Sequence, residues 1–499
     1  MKPTLIWASL VLAVLPPAAA LADEPAAAAT DTTTLEQRFE QQEQRIRVLE
    51  RKLELTEEAA GTAAKSTPVV KTTANGFSLT SADSSFTIKF RGNLAVDGRK
   101  FLDEYTPSTA DTWLLRRVRP YVEGTVGNYV DFRFMPDFGG GKAIVQDAYV
   151  AARIRPWFAV QAGKFKGPVG LHRLQPDQYN RFMELGFPSS LVPNRDLGLQ
   201  LSGSLFASRL SYAVGYFNGT ADGASTDANT NPDLDNDGKR DWEARVFAQP
   251  FLNSAHFALR GIGFGLGGTY VNSTGVATST ATNVTNGATT GVLSTVTTNS
   301  LLPTYRTPGQ QTLFSYRGDT AGTGTINEAT YADGVRRRLA PQAYYYYGPF
   351  GVLGEYTRVT QEVSRQVNAT TLRHDSLTHK AWQVEASWFL TGDEAAYAAF
   401  TPRSTFSPTK GGWGAWEIVA RYQKIDLDPD AFTGGSASFA NPATSAGAGR
   451  DVGVGVNWYL NQNFKWQLNF DVTGFTGGNT GGTDRPDEQV LATRFSLVF

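Results

Sequence analysis

The chain has 499 residues, of which 41% are hydrophobic and 19% charged, with a formal net charge of −1 and no cysteine. The lack of cysteine excludes disulfide bonds, thiolate metal sites and lipoprotein attachment, and the small net charge argues against a nucleic-acid partner. Mean hydropathy is −0.28, and after the N-terminal segment no apolar run approaches the ~18 residues of a membrane-spanning helix. Abundant aromatic residues and glycine suit a β-barrel, which turns apolar side chains outward.

The N-terminal segment, residues 1–22, has the features of a signal peptide. Lys2 precedes an apolar run over 5–15, and Ala-Leu-Ala at 20–22 forms an A-x-A cleavage site. The apolar run is too short for a membrane anchor. We therefore expect export and a mature chain that begins at Asp23.

A helix is predicted over 34–58, between an Ala/Thr-rich linker over 23–33 and a second linker over 59–83. Its residues in 4-3 spacing form a heptad seam. Three heptads are marginal for an isolated helix, so we interpret the segment as a periplasmic coiled coil that reinforces an oligomer. A solvated amphipathic helix is the alternative. The seam residues are Leu35, Phe39, Gln42, Ile46, Leu49, Leu53 and Thr56.

From residue 84 onward the hydrophobic period is two, as where Phe86, Ile88 and Phe90 alternate with Lys89 and Arg91. The predicted strands have lengths that suit tilted membrane strands of about 9–11 residues or more. They are 84–99, 112–126, 129–138, 143–154, 157–166, 195–205, 209–217, 240–251, 256–272, 334–347, 350–364, 378–391, 413–427, 449–460, 463–474 and 488–499.

The connections separate a membrane barrel from a soluble sandwich, which also alternates. Short turns alternate with long polar links, and such alternation is typical of periplasmic turns and outer loops. The link 392–412 is the exception, because it is long where a tight turn is expected. The sequence thus predicts an all-β chain, a sixteen-stranded antiparallel transmembrane β-barrel over 84–499. Its longest links are 167–194, 218–239 and 273–333.

The last strand adds a separate signal. Leu491, Thr493, Phe495, Leu497 and Phe499 share one face and end on an aromatic residue. This resembles the terminal strand of outer-membrane barrels, which the assembly machinery reads. An ordinary last strand is the alternative.

The sequence offers poor candidates for catalysis or cofactor binding. None of its four histidines lies in an H-E-x-x-H frame, and the glycines of 263–268 match G-x-G-x-x-G inside a predicted strand. Asp233, Asp235 and Asp237 resemble the first half of a calcium loop, but Ala244 stands where the closing acid belongs. We expect no enzyme activity, no cofactor and no metal, with this outer loop as a weak calcium candidate.

The polar face of the strands is predicted to line the lumen. Arginine predominates among its cations, and the planar guanidinium suits bidentate contact with an oxyanion. Rings of such side chains select anions, unless acids and bases simply pair across strands and leave no net preference. The cations are Lys89, Arg91, Arg117, Arg119, Arg133, Arg153, Arg245, Arg336, Arg338, Arg421, Lys465 and Arg494. The acids include Asp97, Glu123, Asp131, Asp147, Glu243, Glu385, Glu417 and Asp471.

Several motifs resemble those of the phosphate-selective porin O/P family. They are GKFKGPVGLHRLQ at 163–175, LVPNRDLG at 191–198, YFNG at 216–219, DGKRDWEARVFAQP at 237–250, PQAYYYYGPF at 341–350 and WFLTG at 388–392. The resemblance implies a homotrimer of sixteen-stranded barrels in outer-membrane lipid, with an N-terminal periplasmic extension. It also implies that anions pass along an arginine-lined path narrowed by infolded loops.

The resemblance further implies roles for particular residues. Loop 167–194 matches the family's constriction loop and carries His172, Arg173 and Arg181, with Arg195 at its end. The link 392–412 is similar to an inward-folding periplasmic turn of the family. The pair Arg116-Arg117 resembles the family's paired arginines. The expected anion-binding residues of the pore are Arg116, Arg117, Arg119, Arg133, Arg153, Arg245, Arg336 and Arg338.

We therefore expect passive diffusion of small anions, of which phosphate or related oxyanions are favoured. A general or sugar-permeable porin without phosphate selectivity is the first alternative. The second is a non-transport barrel, either an adhesin that acts through the loop 273–333 or an outer-membrane hydrolase.

Overall fold

The computed structural model describes residues 31–73, 76–102, 111–141, 143–225, 238–280, 284–285, 288–289, 295–319, 327–368, 370–398 and 400–499. The chain divides into two units, with the boundary between Thr67 and Pro68. The expected signal peptide and the calcium candidate at Asp233, Asp235 and Asp237 lie outside the described residues. Among the described helices, none is long and apolar enough to cross a membrane.

The N-terminal unit contains one long helix, α1, from Asp31 to Ser66. It begins before the predicted start and continues past the predicted end at residue 58. Four apolar residues of the predicted seam, Phe39, Ile46, Leu49 and Leu53, are 53–68% exposed. A helix that leaves such a stripe in water buries it only by pairing with another surface.

The second unit is built from β-strands. In chain order these are β1 (Val69–Thr73), β2 (Gly76–Thr80), β3 (Phe86–Phe101), β4 (Thr112–Val126), β5 (Val130–Asp137), β6 (Ile144–Arg155), β7 (Phe158–Lys166), β8 (Arg195–Leu205), β9 (Leu210–Phe217), β10 (Asp241–Ala248), β11 (Ile262–Thr274), β12 (Val276–Thr280), β13 (Val284–Thr285), β14 (Ala288–Thr289), β15 (Thr295–Asn299), β16 (Thr304–Arg306), β17 (Thr312–Ser315), β18 (Thr330–Tyr347), β19 (Phe350–Asn368), β20 (Thr371–Phe389), β21 (Ala415–Asp426), β22 (Ala446–Tyr459), β23 (Phe464–Gly477) and β24 (Glu488–Val498).

Sixteen of these strands, β3–β11 and β18–β24, form a closed antiparallel barrel. Each pairs with the next along the chain, β11 pairs with β18 across the longest loop, and β24 pairs back with β3. Each predicted strand corresponds to one of these, so the predicted sixteen-stranded barrel is confirmed. The strands β12–β17 form three small hairpin pairs within the longest loop.

The segment before the barrel differs from the predicted linker over 59–83. The helix runs on to Ser66, and β1 and β2 then form a hairpin. The Val and Thr residues of these short strands favour the extended conformation, and Gly76 has a φ of +95° that a side chain would strain. Strand β2 also pairs with the beginning of β3, with Phe77 opposite Phe90.

Two strands, β2 and β24, pair with the same edge of β3. Strand β24 pairs with β3 from Asn93 to Phe101, whereas β2 pairs with the preceding residues, Thr87–Phe90. Between the two, Gly92 and Phe499 exchange backbone hydrogen bonds of 2.9 and 3.0 Å. The edge of β3 is therefore covered by two segments, the hairpin strand β2 just before the barrel and the last barrel strand β24.

The barrel wall has the inside-out polarity of a membrane barrel. Along β20, Gln383, Glu385 and Ser387 are buried, whereas Val384 and Trp388 are 46% and 48% exposed. Apolar residues therefore face outward and polar residues inward, the reverse of a soluble protein. Because the short turns mark the periplasmic end of such barrels, the long loops lie at the extracellular end.

Inside the barrel, one side of the extracellular half is filled by a hydrophobic core. Three loops contribute aromatic residues to it, represented by Phe187, Phe314 and Phe439. They pack against inward apolar residues of β19–β21 such as Val359 and Ile425. This core ties the described parts of the three loops to the inner wall at β19–β21.

Candidate functional site

The lumen is crossed by residues 167–194, here called the infolded loop. It contains α2 (Leu171–Leu174) and two short 3-10 helices, Asp177–Tyr179 and Phe187–Ser190. Although it begins at β7 and ends at β8, it is held by the far wall. The backbone N–H of Leu171 donates to Glu355 of β19 at 2.7 Å, and that of Phe187 donates to Gln423 of β21 at 2.6 Å.

Arg181 anchors the infolded loop. Its Nε donates to Ser387 at 2.8 Å and to Glu417 at 3.0 Å, and its guanidinium lies 5.0 Å from the centre of the Tyr346 ring. The residue is only 5% exposed. These contacts occupy Arg181, so the structure places it in the attachment of the loop and not in the open lumen.

The anomalous link 392–412 folds toward the lumen and meets the infolded loop. The Tyr397 hydroxyl donates to the carbonyl of Leu171 at 2.6 Å, and the Gln175 side chain donates to the carbonyl of Tyr397 at 2.8 Å. Phe400 stacks on Phe389 with ring centres 4.6 Å apart. The additional residues of this periplasmic turn therefore contact the infolded loop from the periplasmic side.

His172 lies in the buried interface between the infolded loop and β20. Its Nδ1 lies 2.9 Å from Gln383 Nε2, and its Nε2 lies 4.0 Å from a carboxylate oxygen of Glu385. Burial, together with the positive charges of Arg421 and Arg173, lowers the pKa of His172 to about 3. His172 is therefore neutral near pH 7 and does not line the lumen.

Arg116 and Arg117 both point inward because of a β-bulge. On β3, Ala95 pairs with Arg117 and Val96 pairs with Leu115, which leaves Arg116 without an opposite residue. A bulge shifts the alternation of side chains by one. Strict alternation would turn Arg116 toward the lipid, so the bulge is what brings the two neighbouring guanidinium groups into the lumen.

Asp177 of the infolded loop contacts three cationic side chains of the barrel wall. Its carboxylate lies 2.5 Å from Arg119, 3.1 Å from Arg117 and 3.9 Å from Lys166. Burial opposes its ionisation, but the charges of Arg117 and Arg119 outweigh this and hold the pKa of Asp177 well below its usual range. Asp177 is therefore a fixed negative charge among these cations.

Glu184, near the other end of the loop, has the same arrangement. Its carboxylate lies 2.9 Å from Arg99, 3.0 Å from Arg116 and 3.2 Å from Arg494. Burial is again outweighed by Arg116 and Arg494, which lower the pKa of Glu184. Together the two acids tie the infolded loop to β3, β4, β7 and β24.

Above the infolded loop lies a cavity of about 670 Å³, the extracellular chamber. Residues of the longest loop, such as Leu302 and Gln310, form part of its wall. Cations outnumber acids among its described lining residues by seven to four. The cations are Arg116, Arg117, Arg119, Lys166, Arg173, Arg195 and Arg306, and the acids are Asp137, Asp177, Glu184 and Asp222.

Below the infolded loop lies a second cavity of about 690 Å³, the periplasmic chamber. Short-turn residues, Asn128 and Pro156, mark its periplasmic end, and Pro168 marks its boundary with the infolded loop. Its charged lining residues are Arg153, Arg155 and Arg245, with no carboxylate among the described residues that line it. The two chambers thus lie on opposite sides of the loop, along the inner faces of β4–β10.

The other predicted pore residues differ in their access to the lumen. Arg133 contacts Glu123 and Asp147 at 2.6 and 3.6 Å, and its side chain is 34% exposed. Arg195 contacts Asp147 at 2.8 Å and lines the extracellular chamber. Arg153 pairs with Asp131 in the periplasmic chamber.

Arg336 and Arg338 are enclosed and only 2% and 3% exposed. Asp241 lies 3.1 Å from Arg336, and Asp222 lies 2.6 Å from Arg338. The carbonyl of Thr220 also accepts from Arg338 at 2.9 Å. Thr220 and Asp222, in the described part of the loop after β9, therefore cover Arg338, and both arginines, which the sequence placed in the open pore, are shielded from solvent.

The sequence did not single out Asp177, Glu184, Lys166 or Arg306 as members of the site. Acids in a loop follow no periodic pattern in the sequence that would reveal their place in the site, because their position depends on contacts with distant strands. In the described part of the chain, no group of three or more acids and histidines is arranged to hold a metal ion.

Solved structures similar to this chain include two outer-membrane proteins and a porin. They include OmpT of Vibrio cholerae (11% identity, TM-score 0.45, covering 83% of this chain and 98% of that chain) and the outer membrane channel DcaP of Acinetobacter baumannii (8%, 0.49, 83% and 98%). An anion-selective porin from Comamonas acidovorans is also similar (10%, 0.45, 83% and 100%). These similarities are weak, and among curated proteins no relative matches the chain.

The family comparison covers almost the whole barrel. The model of the family described as phosphate-selective porin O and P matches residues 88–499. This span contains the barrel strands β4–β11 and β18–β24, most of β3 and both chambers. The chain therefore belongs to the phosphate-selective porin O and P family, and it is an outer-membrane β-barrel porin.

Proposed function

We propose that this porin passes small anions by passive diffusion, prefers oxyanions such as phosphate, and has no enzymatic activity. The observation that carries the proposal is the excess of cations in the two chambers. Seven cations accompany four acids in the extracellular chamber, and three arginines line the periplasmic chamber without a lining carboxylate among the described residues. Such an excess raises the local concentration of anions.

Arginine supports an oxyanion preference beyond the effect of net charge. Its guanidinium presents parallel N–H donors that match two oxygens of a phosphate or carboxylate. Most arginines of the inner wall already contact an acid. An entering anion therefore competes with that acid for the N–H donors of the guanidinium. Binding that is shared in this way remains weak enough to permit release, which conduction requires.

The proposed path runs from the extracellular chamber, past the infolded loop, to the periplasmic chamber. Arg117 and Arg119 are the expected contacts at entry and Arg245 at exit, with Arg133 between them. Arg133 suits this role because its side chain is partly exposed and lies 5.5 Å from the centre of the Tyr121 ring.

Ion selectivity tests the proposal directly. The purified protein is inserted in a planar bilayer, and its reversal potential is measured in a KCl gradient. We expect a potential of the sign given by chloride permeation, and a cation-selective potential would refute anion preference. Phosphate preference is tested separately: millimolar phosphate should block the single-channel chloride current, and an unblocked current contradicts that part alone.

A general or sugar-permeable porin is the second candidate, and the abundant ion pairs favour it. Glu184 and Asp177 each neutralise several cations, and Asp97 pairs with Arg494 at 2.6 Å. Paired charges screen one another and leave a wet, weakly selective lumen. Liposome swelling distinguishes the candidates, because a sugar-permeable porin admits neutral sugars whereas an anion-preferring one admits them poorly.

We also infer that the mature protein begins at Asp23 and forms a homotrimer through a coiled coil of α1. The exposed seam residues Phe39, Ile46, Leu49 and Leu53 support this inference, since three such helices would bury the seam. N-terminal sequencing of the exported protein tests the first point. Chemical cross-linking of the purified protein, with and without residues 31–66, tests the second.

A further inference from the structure

Arg245 on β10 differs from most other arginines of the inner wall in the groups that contact its guanidinium. Its Nε donates to Gln342 at 2.9 Å, and its guanidinium lies 4.5 Å from the centre of the Phe247 ring. No carboxylate oxygen lies within 4.0 Å of it among the described residues, whereas Arg133, Arg338 and Arg421 each have one. Among the described arginines that line this chamber, Arg155 at the periplasmic rim resembles it in this respect.

The contacts of Arg245 orient its free donors. Phe247 covers one face of the guanidinium and Gln342 occupies Nε, so the edge formed by the two Nη groups is left for the periplasmic chamber, which Arg245 lines. An Nη edge donates two parallel hydrogen bonds to a carboxylate. The guanidinium is thus held in place before a ligand arrives, which reduces the entropy lost on binding.

Part of the wall beside Arg245 is apolar. Pro156, Ala159, Pro168 and Ala213 line the chamber, together with polar residues that include Asn128, Ser202, Ser204 and Ser211. A cavity of about 690 Å³ is within the 300–1,000 Å³ typical of small-molecule sites.

We propose that the periplasmic chamber is a binding site for organic monocarboxylates that carry an apolar ring. The carboxylate would accept from the two Nη groups of Arg245, and the ring would lie against the apolar part of the wall formed by Pro156, Ala159, Pro168 and Ala213. A hydrated phosphate gains nothing from such a wall, whereas an apolar ring gains from the removal of its surface from water. The inference rests on the proposed anion channel and narrows its substrates.

The test compares benzoate with acetate as blockers of the single-channel chloride current, added on the periplasmic side. Both carry one carboxylate, so a difference reports the contribution of the ring. We expect benzoate to reach half-block at a concentration at least fivefold lower than acetate. Equal half-blocking concentrations would overturn the proposal, and this comparison needs only the unmodified protein.

Two variants locate the effect. Arg245→Gln should raise the half-blocking concentration of benzoate about tenfold, because the paired donors are lost. Arg260→Gln is the matched control: Arg260 is also at the periplasmic end and also lies over a ring, 5.9 Å from the centre of Phe257, but it is not among the residues that line the chamber. Block of the Arg245→Gln channel at the wild-type concentration overturns the proposal.

The reversal potential, measured in the same membrane, separates this inference from the proposed function. An anion-selective channel that shows no preference for benzoate refutes the organic-anion site and leaves the anion porin intact. A cation-selective channel refutes the proposed function and the site together.

Discussion

Replacing Asp177 by asparagine tests whether the acids of the infolded loop limit anion binding in the extracellular chamber. The change removes one negative charge from the contacts with Arg117, Arg119 and Lys166, at 3.1, 2.5 and 3.9 Å. Asparagine keeps the size of the side chain and one acceptor oxygen. The chamber then has seven cations and three acids in place of seven and four.

The size of the effect follows from Coulomb's law. A unit charge at 4 Å contributes about 1 kcal/mol in water and about 4 kcal/mol at an effective dielectric constant of 20. Because the chamber is open to water, the lower value applies, and about 1 kcal/mol corresponds to roughly a fivefold change in affinity. Phosphate should therefore block the chloride current of Asp177→Asn at a concentration roughly fivefold lower than in the wild type.

The assay is single-channel chloride current with phosphate added on the extracellular side. Asp430→Asn is the control, because it removes the same charge from an exposed loop position outside the residues that line the chamber. An unchanged or higher half-blocking concentration in Asp177→Asn would refute the reasoning. It would mean that Asp177 serves the attachment of the loop and has no influence on the anion.

Three further predictions concern the infolded loop and the helix. Phe187 is 2% exposed and packs in the core that holds the loop. Phe187→Ala should therefore weaken the attachment of the loop by about 3–5 kcal/mol and give larger, noisier single-channel currents. The control Phe206→Ala, at a turn residue that is 72% exposed, should leave the currents unchanged. Because the folded-state pKa of His172 is about 3, against 6.5 for a free histidine, the unfolded loop gains a proton first, and the attachment weakens by about 1.4 kcal/mol per pH unit as pH falls from 6.5 toward 3. Hydrogen exchange of residues 171–190, corrected for its intrinsic rate, should therefore speed up between pH 6.5 and 4.5, and less so in His172→Gln; an equal acceleration in both proteins would exclude His172 as the cause. Ile46→Asp with Leu49→Asp should lower the temperature at which the oligomer dissociates in a gel-mobility assay, and an unchanged temperature would count against the coiled coil.

The sequence predicted the barrel well because alternation is a local property. Residues two apart on a strand share a face, which was enough to turn Arg117, Arg119 and Arg133 inward and Phe134 outward. The same rule failed for Arg116, since the bulge that turns it inward depends on pairing with β3. The family resemblance, and not the alternation, had marked Arg116 as part of a pair.

The interior of the lumen was less predictable, because its contacts join distant parts of the chain. Arg181 was expected at the constriction, yet Glu417, its partner, is 236 residues away. Arg338 is covered by the segment around Asp222, 116 residues away. Such contacts decide whether an inward arginine reaches water or is enclosed, and no local pattern encodes them.

The shared edge of β3 has a consequence for assembly. Phe499 and the hairpin before the barrel both lie against it, so the segment just before the first barrel strand and the end of the last barrel strand complete the same joint. Contacts of such large separation form late, because their loop-closure entropy must be overcome before they stabilise anything. Closure of this barrel therefore joins its first and last strands, and a defect in β24 would leave β3 as an open edge strand liable to pair with another chain.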